Sequence, residues 1–308
     1  MLRFIIRRLL ITIPTILVVI TITWGLIKLA PGNFYSGERR LPAAIEQNIR
    51  EKYGLDKPGY QQYGKTMWNI LRHFDFGTSL RYEGQSVNTI IWRSLPVSAA
   101  VGILAYLLAL IVGITIGSIA ALKQNSRWDY SSMALAMLGI SIPNFVLGPI
   151  LVLIFSLTLY WLPPSRWGGF PSKNLVLPVL TLSAIYMAYI ARLTRAGMLE
   201  VLRSDYIRTA RAKGLSEKDV VIKHALRGGL MPVVSFTGPA LAFLLTGTVV
   251  VERIFALPGL GNYFIQASLN RDEPLIIGIV AFIAIVLLVM NLLVDIAYAY
   301  LDPRVRYQ

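Results

Sequence analysis

The sequence predicts an all-α integral membrane protein with six transmembrane helices and a small extracytoplasmic region between the first two. Of its 308 residues 55% are hydrophobic and only 15% are charged, and the mean hydropathy is +0.60. Such sparse charge, with apolar runs of about 20 residues, is typical of a polytopic membrane protein. The sequence contains no cysteine, which excludes disulfides, cysteine-based metal centres and cysteine nucleophiles within this chain.

Six apolar stretches are long enough to cross a bilayer. The first follows the basic leader Met1–Arg8, and we interpret it as a signal anchor because its apolar core exceeds that of a cleaved signal peptide. Lys28 lies near its outer end, where a long side chain can reach the interface. Pro143, Pro178 and Pro239 predict interruptions of three spans. The predicted spans are 9–30, 97–122, 131–159, 175–194, 230–251 and 275–300.

The distribution of Lys and Arg predicts the orientation of these spans, with both termini in the cytoplasm. Basic residues concentrate in 1–8, 123–127, 192–227 and 304–306, whereas the short outer loops hold few. This bias explains much of the net charge of +14, so we expect a lipid bilayer and no nucleic acid as partner. The predicted regions are the anchor 1–30, the extracytoplasmic region 31–95, the transmembrane domain 96–300 with cytoplasmic loop 200–232, and the tail 301–308.

One motif in the predicted extracytoplasmic region resembles a nucleotide site. Gly59–Thr66 matches the pattern G-x-x-x-x-G-K-[ST]. A phosphate-binding loop needs a buried strand before it and a helix after it, and the polar segment Arg50–Pro58 is no such strand. We therefore expect no nucleotide site here.

The only long polar stretch in the second half of the chain, Glu200–Pro232, predicts two helices separated by a break. Asp205 is placed to cap a first helix over Tyr206–Lys213. Gly214 follows where a left-handed residue is wanted, since glycine alone adopts positive φ without steric cost.

The second helix of this stretch has its own start and stop signals. Ser216 and Asp219 have capping-box spacing and predict a helix that runs to about Arg227. Gly228–Gly229 and Pro232 are expected to end it. A compact helical hairpin suits docking by another protein, and an ordinary connecting loop is the alternative that the pattern leaves open.

These residues resemble a known family. Thr209–Gly214 (TARAKG), with His224–Leu226 and Pro232, is similar to the EAA loop of ABC importer membrane subunits, although Arg208 stands where the family name implies glutamate. In that family the loop supplies a coupling helix that docks into a cleft on the cytoplasmic ATPase. The residues that the resemblance assigns to ATPase coupling are Ala210, Gly214, Leu215, Ser216, Glu217, Asp219 and His224.

The resemblance extends nearly end to end and points to the B-type permeases of oligopeptide importers. Further segments that carry it are Leu29–Gly32, Gly37–Arg39, Leu41–Pro42, Tyr53–Pro58, Asp75–Ser79, Val250–Gly261 and Leu301–Tyr307. It implies the type I ABC importer transmembrane fold in a bacterial inner membrane. It also implies a homologous second permease, two cytoplasmic ABC ATPases that bring ATP and Mg²⁺, an extracytoplasmic peptide-binding protein and a peptide substrate, with no cofactor in this chain.

Two further groups of residues are candidates for the transport pathway. Polar side chains of the fifth span can line a cavity or hydrogen-bond their own helix; they are Ser235, Thr237, Thr246 and Thr248. The loop that follows is a candidate outer gate, whose apolar side chains are expected to dip toward the bilayer. Its candidate residues are Glu252, Phe255, Pro258 and Gly259.

Other function classes have less support. Asp295, one turn after Asn291, is an intramembrane acid that suits a proton relay, substrate binding or a structural pair with Arg304 or Arg306. A single isolated acid is weak support for a secondary transporter, which remains the alternative together with a channel. Neither paired carboxylates nor a Ser-His-Asp set share one depth, so we predict no catalytic residue, no metal site and no enzyme.

Overall fold

The computed structural model describes residues 2–30, 47, 51, 54, 56–164 and 166–301, and this part of the chain is helical, with one isolated bridge between Thr78 and Ser86. The helices are α1 Leu2–Leu29, α2 Gly59–His73, α3 Val87–Leu122, α4 Arg127–Ser141, α5 Asn144–Leu151, α6 Val176–Leu202, α7 Asp205–Ala212, α8 Glu217–Asp219, α9 Leu226–Gly229, α10 Met231–Leu245, α11 Val249–Ile254, α12 Leu260–Leu269 and α13 Glu273–Leu301. A 3₁₀ turn, Lys173–Leu175, precedes α6. One π-helical segment, Val152–Thr158, follows α5 and another, Val220–Ala225, follows α8.

Within this described part, 4 helical stretches are long and apolar enough to cross a membrane. They are Val87–Leu122, Lys173–Leu202, Met231–Ile254 and Glu273–Ile296. The pair Arg127–Ser141 and Asn144–Thr158 is bent by 102° and makes a fifth if it is one span. In α1 the apolar part is Ile13–Leu29, which is shorter than these spans. The number of spans predicted from the sequence therefore stays a prediction.

Prolines affect the spans unequally. The break at Ile142–Pro143 confirms the interruption predicted there. The interruptions predicted at Pro178 and Pro239 are wrong, because α6 and α10 continue through both residues. Pro178 lies in the first turn of α6, where an amide N–H has no intrahelical acceptor to lose.

α3 begins at Val87, well before the predicted start of the second span at Val97. The Ser86 hydroxyl caps it by accepting from the Thr89 amide, and Ile90 and Ile91 are buried under α13 and α12 in a shared cluster. Tertiary burial thus extends the helix N-terminally past Pro96.

Small residues bring the central helices close together. A Cβ on Gly102 would lie 2.4 Å from the Leu244 carbonyl oxygen of α10, and one on Gly117 would lie 2.4 Å from the Ala191 carbonyl oxygen of α6. α3, α6 and α10 therefore pack backbone to backbone around the main hydrophobic cluster, as membrane helices do where glycine lies at the contact.

α1 packs on α13, with α2 beside it. Ile20 of α1 is buried with Ile70 of α2 and Ile279 of α13. The Lys28 ammonium, near the end of α1, lies 2.7 Å from the carboxylate of Glu273, the first residue of α13. This ion pair joins the end of α1 to the start of α13. The G-x-x-x-x-G-K-[ST] pattern lies in α2 and is helical, not the loop that a phosphate requires.

Candidate functional site: the helical hairpin and the Glu252 loop

The helical hairpin, residues 205–229, turns at Gly214 as the sequence predicts. Gly214 has φ +80°, its amide donates to the Arg211 carbonyl at 2.9 Å, and the Leu215 amide donates to the Ala210 carbonyl at 3.4 Å. These two bonds form a Schellman motif, which closes the last turn of α7 on a left-handed residue. α7 starts at Asp205 with Ser204 at the N-cap, one residue earlier than predicted.

The predicted capping box opens the second half of the hairpin. The Ser216 hydroxyl oxygen accepts from the Asp219 amide at 3.2 Å and donates to the Asp219 carboxylate at 2.7 Å. Lys223 lies 2.7 Å from the same carboxylate one turn later. These two partners, Lys223 first, hold the pKa of Asp219 below its usual value.

The second half of the hairpin ends within two residues of its predicted end. Gly228 and Gly229 are the last residues of α9, so the stop predicted at this pair is confirmed, whereas Pro232 lies in the first turn of α10 and begins the next helix rather than ending this one. The glycines also serve a close contact: a Cβ on Gly197 of α6 would lie 2.2 Å from the Gly229 carbonyl oxygen.

One side of the hairpin is buried and the other is exposed. Ile207, Ala210, Val220 and Ala225 pack with Met198 of α6 in a single cluster. Ala121, at the end of α3, belongs to the same cluster, so the hairpin is seated on two long helices.

The exposed side of the hairpin combines apolar and charged groups. Leu215 is 42% exposed and Ile222 is 53% exposed. The Arg211 guanidinium spans the Gly214 turn and donates to both carboxylate oxygens of Glu217, at 2.7 and 3.3 Å. Of the predicted coupling residues, Ala210 is buried, Asp219 and His224 are half-buried, and the rest are exposed, namely Gly214, Leu215, Ser216 and Glu217.

A buried ion pair near the hairpin was not predicted. The Arg195 guanidinium of α6 donates to both oxygens of Asp129, at 2.6 and 2.7 Å, and the Asn125 amide donates to the same carboxylate at 3.0 Å. The Asp129 side chain is 2% exposed. Two features of the sequence could have indicated this ion pair. Ser126 and Asp129 have the spacing of a capping pair, which places an acid at the start of a helix, and Arg195 lies late in a predicted span.

The Glu252 loop, residues 246–262, contains the predicted gate residues. Glu252 is 1% exposed; its carboxylate accepts from the Ser98 hydroxyl of α3 at 2.7 Å and from the Asn262 amide at 3.0 Å. The Leu260 amide donates to Ser98 at 2.9 Å, which closes the network. A Cβ on Gly259 would lie 2.4 Å from the Glu252 carboxyl carbon, so the loop wraps closely around the acid.

The apolar side chains of this loop turn into the protein. Phe255, Leu257 and Leu260 are fully buried, so the expectation that they dip toward the bilayer is wrong. Pro258 is exposed and Gly259 is buried. Packing against the spans is more favourable for these side chains than the headgroup region, because a side chain in the core removes more apolar surface from water.

Asp272 forms a second buried carboxylate network, which sequence reasoning missed. It is 0% exposed and accepts from the Ser79 hydroxyl and from the amides of Leu80 and Arg81, both at 3.1 Å. It also caps α13 by accepting from the Leu275 amide at 3.3 Å. The segment before α3 is thereby tied to the start of the last helix.

The candidate pathway residues differ in exposure. Ser235 is exposed and donates to the Met231 carbonyl at 3.2 Å, while Thr237 donates to Val233 and lies 2.6 Å from the Tyr106 hydroxyl. Thr246 and Thr248 are buried, and Thr246 donates to the Ala242 carbonyl of its own helix. Their roles in a pathway stay predictions.

Asp295 lies on α13 and is half-buried, one turn after Asn291. Its suggested partners Arg304 and Arg306 lie outside the described residues. Its function stays a prediction.

Matches to known families cover both parts of the chain. Residues 113–307 match the family described as binding-protein-dependent transport system inner membrane component, and residues 1–101 match the N-terminal family of such membrane components. The chain belongs to this family of transport-system inner membrane components. The helical hairpin and the Glu252 loop both lie in the 113–307 match.

Relatives and solved structures agree with this membership. The chain is 46% identical over 307 residues to the oligopeptide transport system permease protein OppB of Salmonella typhimurium, covering 100% of both. It is 44% identical to the dipeptide transport system permease protein DppB of Bacillus subtilis, covering 99% and 98%. A chain of the MetNI methionine ABC transporter has a TM-score of 0.59 at 16% identity, covering 70% of this chain and 97% of its own. The predicted resemblance to peptide permeases is confirmed, and the last likeness confirms the fold.

Proposed function

We propose that this chain is the permease subunit of an ATP-driven importer that takes up peptides across the bacterial inner membrane. The observation that carries the proposal is the helical hairpin, which has a rigid turn, a buried side and an exposed side, in a chain whose full-length relatives are peptide permeases. The chain contributes no catalysis; ATP and Mg²⁺ act in the partner subunits.

The proposed topology has six spans. α1 is the first, the bent pair Arg127–Thr158 is the third, both termini are cytoplasmic, and 31–95 lies outside. The excess of Lys and Arg in and around the hairpin supports this orientation. Because the chain has no cysteine, single cysteines report accessibility without background. Ser216→Cys should label only from the cytoplasm and Lys65→Cys only from outside; the reverse pattern contradicts the topology.

The proposed partners are a homologous OppC-like permease, two cytoplasmic ATPases and an extracytoplasmic peptide-binding protein. The hairpin is the proposed ATPase contact, with exposed Leu215 and Ile222 entering an apolar cleft. Because its underside is packed on α6 and α3, a rigid-body movement of the hairpin is passed to these helices. A flexible loop would absorb the same movement.

Gly214→Val tests the coupling role. A Cβ there meets nothing within 4 Å, so the variant strains only the left-handed turn, by about 1–2 kcal/mol or more for a β-branched residue. We expect the protein to insert in the membrane and to lose peptide uptake. Gly214→Asn should retain uptake, because asparagine tolerates this conformation.

Gly169→Val is the matched control. Gly169 has φ +82°, close to the +80° of Gly214, and also has nothing within 4 Å of an added Cβ, but it lies far from the hairpin in sequence.

Complexes purified from native membranes should contain the second permease and ATPases in wild type and in Gly169→Val, and lose the ATPases in Gly214→Val. Wild-type uptake by Gly214→Val contradicts the coupling role. Recovery of this chain alone, still moving solute in liposomes, supports a secondary transporter or channel instead.

A further inference from the structure

A cavity of about 490 Å³ lies beside the Glu252 loop and away from the helical hairpin. Its volume is within the range of pockets that hold small ligands. The side chains that define it are Tyr82, Gln85, Arg93, Trp167, Pro258 and Tyr263. None of them belongs to the sites predicted from the sequence except Pro258.

Buried networks hold the walls of this cavity in place. Tyr82 follows the segment that Asp272 binds, and its amide donates to the Ser79 hydroxyl at 2.9 Å. Tyr263 follows Asn262, whose amide is bound by Glu252. The cavity thus lies between two segments that are each attached to a buried carboxylate.

Two more contacts complete the frame. Arg93 and Val97 lie one turn apart on α3, next to Ser98 and its bond to Glu252. The Arg166 amide donates to the Phe255 carbonyl at 3.1 Å, which fixes the segment that carries Trp167. Each wall of the cavity is therefore preformed, as an efficient binding site requires.

The lining combines one cation with aromatic rings. Tyr82 and Tyr263 meet edge to face with centroids 5.5 Å apart, and Trp167 packs on the main core. Arg93 is exposed, and within the described part of the chain no carboxylate pairs with it. The nearby acids Glu252 and Asp272 are buried and accept from other donors. Among the described residues, the site thus presents a guanidinium that no carboxylate pairs with, beside an amphipathic surface.

This chemistry suits a carboxylate joined to an apolar or aromatic group. A guanidinium binds a carboxylate through two parallel hydrogen bonds, and tyrosine and tryptophan rings bind apolar side chains and peptide planes. The exposed amide of Gln85 can hydrogen-bond a peptide backbone.

We infer that this cavity binds the C-terminal residue of a peptide on its way into the membrane, with Arg93 pairing to the terminal carboxylate. Tyr82, Tyr263 and Trp167 contact the last side chain. This inference rests on the proposed function and adds to it a substrate contact within the permease, separate from that of the binding protein.

The test uses the complete importer purified from native membranes and a tripeptide, alanyl-alanyl-p-benzoylphenylalanine, as a photoreactive probe. Illumination should attach it at the cavity, on the segments that carry Tyr82, Trp167 or Tyr263, as mapped by mass spectrometry. Arg93→Gln should lower this labelling about tenfold, the loss expected for one charge-assisted pair. Arg93→Lys should lower it less, because the charge is kept without the two parallel bonds.

The C-terminal amide of the same probe separates carboxylate recognition from other roles of Arg93. It should label weakly and equally in wild type and Arg93→Gln. Arg81→Gln is the matched control, since Arg81 is an exposed arginine of the neighbouring segment whose side chain does not line the cavity. It should label as wild type does.

Three results overturn the inference: labelling outside the cavity, equal labelling of wild type and Arg93→Gln, or an equal loss for the acid and the amide. The last result indicates that Arg93 contacts the binding protein or supports the fold. Uptake of alanyl-alanyl-phenylalanine by the wild-type importer tests the proposed function separately. Labelling of the cavity without ATP-driven uptake leaves the binding site standing and contradicts the proposed function.

Discussion

The helical hairpin and the Glu252 loop both connect long helices, but they place their charges in opposite environments. Asp205 and Arg208 of the hairpin pair while their side chains are 91% and 73% exposed. Glu252 is 1% exposed and is surrounded by the hydroxyl and amide donors of α3 and its own loop.

The difference shows which region depends on its charges for folding. Exposed ion pairs contribute about 0–1 kcal/mol, because water and salt screen them. Removal of a buried carboxylate leaves its hydrogen-bond donors without an acceptor, and each buried unsatisfied donor costs about 1–3 kcal/mol of stability. Substitution of the buried acid in the Glu252 loop should therefore lower stability, whereas substitution of the exposed charges of the hairpin should change stability little.

Glu252→Ala should have the largest effect. It leaves the Ser98 hydroxyl and the Asn262 amide without their acceptor and opens a cavity, so we expect a loss of about 3 kcal/mol or more in free energy of unfolding. Thermal unfolding of the purified complex measures it. Glu83→Ala removes an exposed acid and should leave the midpoint unchanged.

Gly259→Ala tests the same loop without removing the carboxylate. Its Cβ would lie 2.4 Å from the Glu252 carboxyl carbon, whereas a Cβ on Gly64 of α2 meets nothing within 4 Å. The first variant should destabilise by about 1–3 kcal/mol, and Gly64→Ala should not. Equal midpoints for the two variants would contradict the close packing around Glu252.

Arg195→Gln should have an intermediate effect, because the ion pair that it breaks has one buried and one half-exposed partner. It leaves Asp129, 2% exposed, without its bidentate donor, which we expect to cost about 2 kcal/mol. The double variant Asp129→Asn, Arg195→Gln should recover part of this loss, since no buried charge remains. Unfolding midpoints of the single and double variants measure the coupling.

Arg192→Gln is the control for this pair. Arg192 lies one turn earlier on α6, is exposed, and stacks over the Tyr189 ring. Its replacement should shift the midpoint little. If the double variant is no more stable than Arg195→Gln, the pair is not the source of the effect.

Ser216→Ala should have the smallest effect on global stability. It removes the cap of α8, worth about 1 kcal/mol, in a region already open to water. Hydrogen exchange of amides 217–222 should accelerate about fivefold while the unfolding midpoint stays constant. Ser204→Ala is the control, because Ser204 stands at the N-cap of α7 without a side-chain cap bond. Equal acceleration in both variants would exclude the capping role.

Local signals in the sequence predicted the hairpin well. Gly214 takes the left-handed conformation and Ser216 caps the helix after it, because both effects depend only on residues a few positions apart. The same local reasoning placed the helix stop at Gly228 and Gly229, which are the last residues of α9. It could not find the contact of Gly229 with α6, because sequence spacing carries no information about that distance.

By itself the sequence determined the all-helical membrane class, the polar stretch between spans and the residues that resemble a peptide permease. These follow from composition, from apolar length and from short-range capping. It also marked Glu252 as unusual, but as a gate residue rather than as the centre of a buried network.

Only the tertiary structure decided which distant residues meet. Asp129 and Arg195 pair across 66 positions, Ser98 and Glu252 across 154, and Ser79 and Asp272 across 193. The grouping of Arg93 with Tyr82 and Tyr263 likewise depends on how α3 packs against the Glu252 loop. The physical reason is that hydrophobic burial aligns the long helices without specifying polar partners, and buried polar groups then bond to whichever donors the packing brings within reach.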